Sequence, residues 1–457
     1  MKSTEHSKKR LLGIGAGVTA LILIVSLGVF VYALVHNPER RTERPYRIDI
    51  TEEAKQDLVP LVDQYAAAHL GFKVEYVNSR PDIIIDKSQR DGYKATPLEV
   101  LPSLELKSGS RIIPLREWRI YWFLSRKKDK GVESLGDFIA GYYNRKPTIT
   151  MNAGGDILPG RYVAQRMARY GTNYPFEKVA PYFNGADIIF GNLECPLTDR
   201  IRPPYKGMSF AAPKKTIEGI KLLGVNIVAL ANNHSTNFGR EAFADTLNLL
   251  KANNIKYAGG GYNYDEAHSP AVMDVKGCRF AFLSYNSIAG GIEATGNQAG
   301  VALIGIPPWY PENPPQLAKM EDDISKAKAN NDFVIVAVHW SQEDVYVPSE
   351  AMRNLAHRAC DAGADMVLGS HPHTIQPMEL YDGKLIAYSM GNFIFDQMQR
   401  DQTREGFFIK CRFRENLLTG LEMVPYKIYD YSQPRVFEGS SGQYLLDRVL
   451  SLSGLIQ

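Results

Sequence analysis

The stretch ADMVLGSHPHT, residues 364–374, carries the reading of the fold. Met366–Leu368 is a short apolar run that reads as a buried strand. An amphipathic stretch, Ser349–Ala362, precedes it and reads as a helix, and the irregular loop Gly369-Ser370-His371-Pro372-His373 follows. Two histidines at i and i+2 in such a loop can both face one site, and histidine is the commonest metal ligand.

Working outward, four further segments repeat the pattern. Apolar runs at Ile149–Ala153, Asp187–Phe190, Val225–Ala231 and Phe333–Val338 each end in residues able to ligate metal. These are Asp156, then Asn192 and Glu194, then Asn232, Asn233 and His234, then His339. Helices are expected between them at Arg161–Tyr170, Lys214–Leu223, Arg240–Asn253 and Gln316–Asn330. This alternation predicts an α/β layered fold. In open α/β sheets, ligands bind outside the carboxyl ends of the strands. Each segment alone has a bland explanation. Asp156 could cap a helix, Glu194 could be a solvated acid, Asn232 and Asn233 could cap the next helix, and His339 could be a satisfied core residue. As an ordered set at five strand ends they point to a metal-assisted site. Mixed nitrogen and oxygen ligands suit Mn, Fe or Zn.

After Thr374 the chain turns to β structure. Tyr381-Asp382-Gly383-Lys384 is a tight-hairpin signal. Ile386–Ser389, Gly406–Phe413 and Leu421–Ile428 read as strands, and Gly442–Leu452 as a closing helix.

The 457 residues are 44% hydrophobic and 23% charged, which is ordinary for globular protein and argues against disorder outside the termini. A net charge of +3 without a long basic stripe argues against nucleic acid as a partner. The four cysteines, at 195, 278, 360 and 411, form no CxxC, which excludes a cysteine-type zinc site or a disulfide scaffold. A single bridge between two of them stays open.

Leu11–Val35 is uncharged and exceeds the ~20 apolar residues that span a bilayer. Lys8, Lys9 and Arg10 precede it, as the positive-inside rule favours for a cytoplasmic N-terminus. Arg40, Arg41, Arg44 and Arg47 make the other flank basic too, so charge bias alone does not fix the orientation. No A-x-A cleavage site follows, so the run reads as an uncleaved signal anchor. The expected organisation is a cytoplasmic tail (1–10), a transmembrane anchor (11–35), a charged linker (36–46), a small α/β segment (47–146) and a main domain (147–457). The cell membrane is the expected location, with a single pass and the C-terminal domain extracytoplasmic. Within 47–146, Glu53–Ala68 and Ser134–Tyr143 read as helices, and Phe72–Val77, Asp82–Ile85 and Trp118–Leu124 as strands. The order resembles one lobe of a periplasmic solute-binding protein, but an α/β spacer that lifts the next domain off the membrane is the favoured reading.

GGDILPGR, GNLECPLT, ALANNHSTNFG, HWSQE and AGADMVLGSHPHTIQPMELYDGKLIAYSMGNFIFD resemble, in order, the CapA-type poly-γ-glutamate capsule biosynthesis family. That family is similar to the calcineurin-like metallophosphoesterases. The resemblance implies a layered α/β/β/α sandwich. It also implies an anchored protein partnering membrane, capsule synthase subunits and an anionic polymer such as poly-γ-glutamate. It carries Asp156, Asn192, Glu194, Asn233, His339, His371 and His373 over as metal ligands. Asp156, Glu194 and His234 are carried over as catalytic, with His234 as general acid or transition-state stabiliser. Glu343 and Asn392 are carried over as residues that orient the ligands from behind. The phosphoesterase pattern has Asp-x-His on the first strand, and here that third position is Leu158. Asn192 stands where Asp is usual. These departures imply one divalent ion rather than two. Two other functions remain open: a free-standing metal-dependent hydrolase of a phosphoester or γ-glutamyl amide, and a non-catalytic ligand-binding module.

Overall fold

The computed structural model describes residues 147–200, 210–414 and 417–453. Of the earlier part it describes 46–50, 59–60, 62–67, 74–76, 83–86, 94–101, 104–108, 111–116, 119–125 and 135. The expected anchor Leu11–Val35, the tail before it and all of the linker except its last residue, Tyr46, lie outside these. Among the described residues no helix is long and apolar enough to cross a membrane.

The chain divides into two compact units. One holds residues 1–100 and 120–145, the other 101–119 and 146–457. In the first, Tyr46–Ile50 pairs in parallel with Val74–Tyr76 and Ile83–Asp86, and Ile83–Asp86 pairs antiparallel with Arg119–Ser125. Lys94–Leu101 completes the sheet at the edge beyond Arg119–Ser125. Within the expected helix Glu53–Ala68, residues 59–60 and 62–67 are helical. Of the expected helix Ser134–Tyr143, only Leu135 is described.

The second unit contains two large sheets. In one, the strands Ile149–Ile157, Ile188–Leu193 and Ile227–Ala229 run parallel. Glu405–Arg414 and Leu417–Tyr429 extend it antiparallel. Leu104–Ser108 and Arg111–Arg116, which the sequence reading places in the small segment, form a hairpin on the far edge, alongside Leu417–Tyr429. In the other sheet, Cys278–Asn286, Phe333–His339 and Met366–Ser370 run parallel.

Strand periodicity sorts the side chains. Met151, Phe190 and Ala229 share one apolar cluster with Phe282, Ile335 and Leu368 of the other sheet. The alternate residues Ile189 and Val228 cluster with Val163, Met167 and Phe243 of the helices Arg161–Tyr170 and Gly239–Ala252. Val334, Val336 and Val367 cluster with Met320 and Leu355 of Pro314–Asn330 and Glu350–Asp361. The result is an α/β fold in which the parallel strands Ile188–Leu193, Ile227–Ala229 and Phe333–His339 are buried on both faces. The continuous Val/Ile/Leu runs of the sequence follow from that. The turn at Asp382-Gly383 has φ values of 47° and 74° and joins the antiparallel strands Met378–Tyr381 and Lys384–Ala387, as the Asp-Gly signal requires. Cys195, Cys278, Cys360 and Cys411 are buried, and none of them forms a disulfide.

Register delivers the site. Asp156 lies opposite Asn192, and Asn192 opposite Ala229. On the second sheet His339 lies opposite Ser370. Between Ala153 and Asp156 the register shifts by one residue, a bulge occupied by Gly154 and Gly155. Bulges beside active sites re-aim the side chain that follows.

Candidate metal centre

Asp156, Glu194, His339, His371 and His373 converge although they come from separate loops. Glu194, His339 and His371 form one group whose ligand atoms all lie within 4.8 Å of one another, and Asp156, Glu194 and His373 form a second. Glu194 belongs to both. All five side chains are buried, Glu194 completely.

Glu194 is the least satisfied group of the set. Neither carboxyl oxygen has a hydrogen-bond partner within the described residues. Its Oε1 lies 3.5 Å from His339 Nε2 and 4.0 Å from His373 Nε2. Burial, and secondarily the Asp156 carboxylate, push its acid well above the usual range. His371 is orphaned too, with both ring nitrogens buried and unpartnered. Buried polar atoms left unpaired are costly, and each calls for an explanation. A cation held between a carboxylate and imidazoles supplies one. Burial, followed by the neighbouring imidazoles, pulls His339 and His371 well below the usual histidine range. Both rings are therefore neutral, which is the ligating form.

His339 Nε2 lies 2.9 Å from Asn233 Oδ1, a separation suited to two ligands of one ion with bonds of roughly 2.1 Å. The other ring nitrogen of His339 meets Ser370 Oγ at 2.8 Å. His373 Nδ1 meets Asn392 Oδ1 at 2.8 Å, and Asn392 Nδ2 donates to Thr403 O at 2.9 Å and to Gln397 Oε1 at 3.0 Å. Histidine ligands are held this way, one nitrogen fixed by an oxygen so that the other faces the ion. Asn392 thus sits directly behind His373. Backbone strain contributes as well, because His371 and His373 have φ values of 93° and 56°. Such conformations cluster at functional sites.

Asn192 is oriented differently from a ligand. Its Nδ2 donates to Asp156 Oδ1 at 2.9 Å and contacts His339 Nδ1 at 3.3 Å, while its Oδ1 accepts from Asn232 Nδ2 at 3.1 Å. The amide straps ligands together. Asp156 Oδ2 in turn accepts from the His371 backbone N–H at 3.3 Å. Asn232 closes a turn, its Oδ1 accepting from the backbone N–H of His234 and Ser235. The capping reading of the Asn pair fits Asn232, while Asn233 reaches into the centre.

His234 is partly buried and stacks on Phe210 with ring centroids 3.9 Å apart. Burial first, then His373 and Arg161, lower its ring to about 3. It is neutral at pH 7, which suits a hydrogen-bonding role better than ready proton donation. Glu343 is exposed and lines a cavity beside the centre. Leu158 is fully buried in the apolar cluster that also contains Phe393 and Phe395.

Sequence reasoning missed Arg161 and Asp396. Arg161 lay inside the quoted GGDILPGR block and Asp396 ended the last one, but nothing local marks them as partners. They form a buried ion pair.

The chain resembles known proteins over this same region. The family model described as bacterial capsule synthesis protein PGA_cap matches residues 150–397. The capsule biosynthesis protein CapA of Bacillus anthracis is 35% identical over 299 residues, 63% of this chain and 69% of that protein. The PGA biosynthesis protein CapA of Bacillus subtilis (strain 168) is 32% identical over 301 residues, 65% of this chain and 76% of that protein. A probable polyglutamine synthesis accessory protein of Mycobacterium tuberculosis is 29% identical over 255 residues, 53% of this chain and 66% of that protein.

Proposed function

The chain belongs to the bacterial capsule synthesis family PGA_cap, and from that membership we propose that it is a membrane-anchored, extracytoplasmic component of poly-γ-glutamate synthesis or export that carries a divalent-metal centre. The domain is read as a metallophosphoesterase-like α/β/β/α sandwich. The observation that carries the metal reading is Glu194, a fully buried carboxylate without a hydrogen-bond partner, shared by two groups of ligand type. Asp156, Glu194, Asn233, His339, His371 and His373 hold the ion, which is Mn, Fe or Zn by ligand chemistry. Asn192 and Asn392 fix the ligands. A bound divalent ion supplies Lewis-acid polarisation and activation of water at neutral pH.

A second reading, a metal-dependent hydrolase, is favoured by the placement of His234. Its ring is neutral, stacked on Phe210, and held by Asn237 Nδ2 at 2.9 Å from Nδ1. In that reading His234 donates or accepts a hydrogen bond at the reacting group while Glu343 lines the approach.

The double variant His371→Ala/His373→Ala tests the metal. The protein purified without chelator and offered Mn, Fe or Zn is expected to retain ion, and the variant to lose it while staying folded by circular dichroism. Wild-type protein that holds none of the three would end the metal reading. Topology is tested separately. Protease added to intact cells or spheroplasts is expected to digest residues 46–457, and complete protection until lysis would reverse the orientation.

A further inference from the structure

A cavity of about 370 Å³ adjoins the metal centre, with Arg161, Glu343, Asp344, Asp396, Arg400 and Thr403 in its lining. Three contacts tie it to the centre, two through His373 and one through His234. The Thr403 carbonyl accepts from Asn392, which holds His373. The Arg161 guanidinium lies 5.1 Å from the centroid of Phe395, whose ring is 4.7 Å from that of His373. The same guanidinium lies 4.8 Å from Phe210, the ring on which His234 stacks.

Arg161 is an unusual residue for a helix start. Its φ is 48°, in the left-handed region, and it is buried. Asp396 grips it from one side through Nε and one terminal nitrogen, and also accepts from the Tyr162 backbone N–H at 3.0 Å. The remaining terminal nitrogen, Nη1, has no hydrogen-bond partner among the described residues. An arginine fixed on one edge by a carboxylate and flanked by two aromatic rings is pre-organised for planar recognition of another carboxylate. Strain of this kind at a cavity wall is an observation from which function is inferred. At the rim Arg400 pairs with Asp344. Glu343 is exposed and has no ion-pair partner among the described residues. Two guanidiniums against three carboxylates disfavour a bare dianion such as phosphate in the cavity itself. They leave one donor edge and one unpaired acid on the same wall.

We propose that this cavity receives the head group of an α-amino acid, with its carboxylate on Arg161 and its ammonium on Glu343. The head group is that of a free amino acid or of the amino end of a γ-linked glutamyl chain. The choice of glutamyl ligands rests on the capsule-polymer reading, whereas the charge pattern does not.

The test is calorimetric titration of the full chain, loaded with Mn, with four probes: glutamate, γ-glutamylglutamate, its N-acetyl form, and its form with the first α-carboxyl amidated. The free dipeptide is expected to bind at least 10-fold more tightly than either blocked form. Glutamate binding as tightly as the dipeptide assigns the site to a free amino acid, and tighter dipeptide binding assigns it to a chain end. Glu343→Gln is expected to remove the penalty of acetylation, and Arg161→Lys the penalty of amidation. Equal binding of the three dipeptides, or binding of none by metal-loaded protein, overturns the proposal and leaves the metal centre standing. Discrimination by a chain that takes up no metal would keep the head-group site and sink the metal reading. The probe series on unmodified protein decides the matter even if Arg161→Lys does not fold.

Discussion

Glu194→Gln is expected to abolish metal binding at both ligand groups while leaving the fold intact. The side chain is shared by the Glu194/His339/His371 and Asp156/Glu194/His373 groups, so one substitution removes the charge from each. Loss of residues that merely orient ligands costs ~10–100-fold in metal affinity, and loss of a shared ligand is expected to exceed ~100-fold. Stability should move the other way. A fully buried carboxyl with no hydrogen-bond partner is a liability to the folded chain when no cation is present. Its neutral amide is nearly isosteric, so the melting temperature in chelator should hold or rise, and the increment that added Mn confers on wild type should vanish. Single variants then partition the centre. His371→Ala touches one group and His373→Ala the other. Metal per chain falling from two to one in both would show two ions, against the single ion that Leu158 and Asn192 imply. A fall to zero in only one would locate a single ion. Retention of metal by Glu194→Gln would remove the carboxylate from the ligand set.

The same residues show how far the sequence could be read. Helix Arg161–Tyr170 appears with the bounds its periodicity predicts, because its apolar stripe packs on a sheet whose own apolar runs are equally plain. Every residue of the two ligand groups was legible at a strand end, since parallel strands expose their carboxyl ends at one edge. The division into two groups was not legible. It depends on how the Glu194 carboxyl is turned, with Oε1 between the His339 and His373 rings, and on the orientation of the Asn192 amide, which Asn232 sets from another loop. The pairing of Leu104–Ser108 with Leu417–Tyr429 was also hidden. An edge strand is recruited by exposed backbone groups, and those carry no sequence signal. Arg161 and Asp396 were in view but unjoined, because an ion pair between distant segments is a tertiary fact.

Gly155→Ala is expected to damage fold and site together. A Cβ at Gly155 would sit 1.9 Å from the Gly391 carbonyl oxygen, a clash with backbone that no rotamer relieves. The Gly391 carbonyl is also the acceptor for the Asp156 backbone N–H, at 3.2 Å, so the two chains cannot separate without breaking that bond. Gly391 itself has φ of 80° and is poorly replaceable. Overpacking typically costs about 1–3 kcal/mol, and a rigid backbone contact belongs at or above the top of that range. The consequence reaches the centre by two routes. Asp156 follows the substituted residue, and Asn392, which holds His373, follows Gly391. Metal affinity should therefore fall along with the melting temperature, although position 155 contributes no ligand. A Gly155→Ala protein that melts within about 1 °C of wild type, a shift well under ~1 kcal/mol, and keeps its metal would show that the bulge tolerates a side chain. The close approach of these two loops would then not be what aims Asp156.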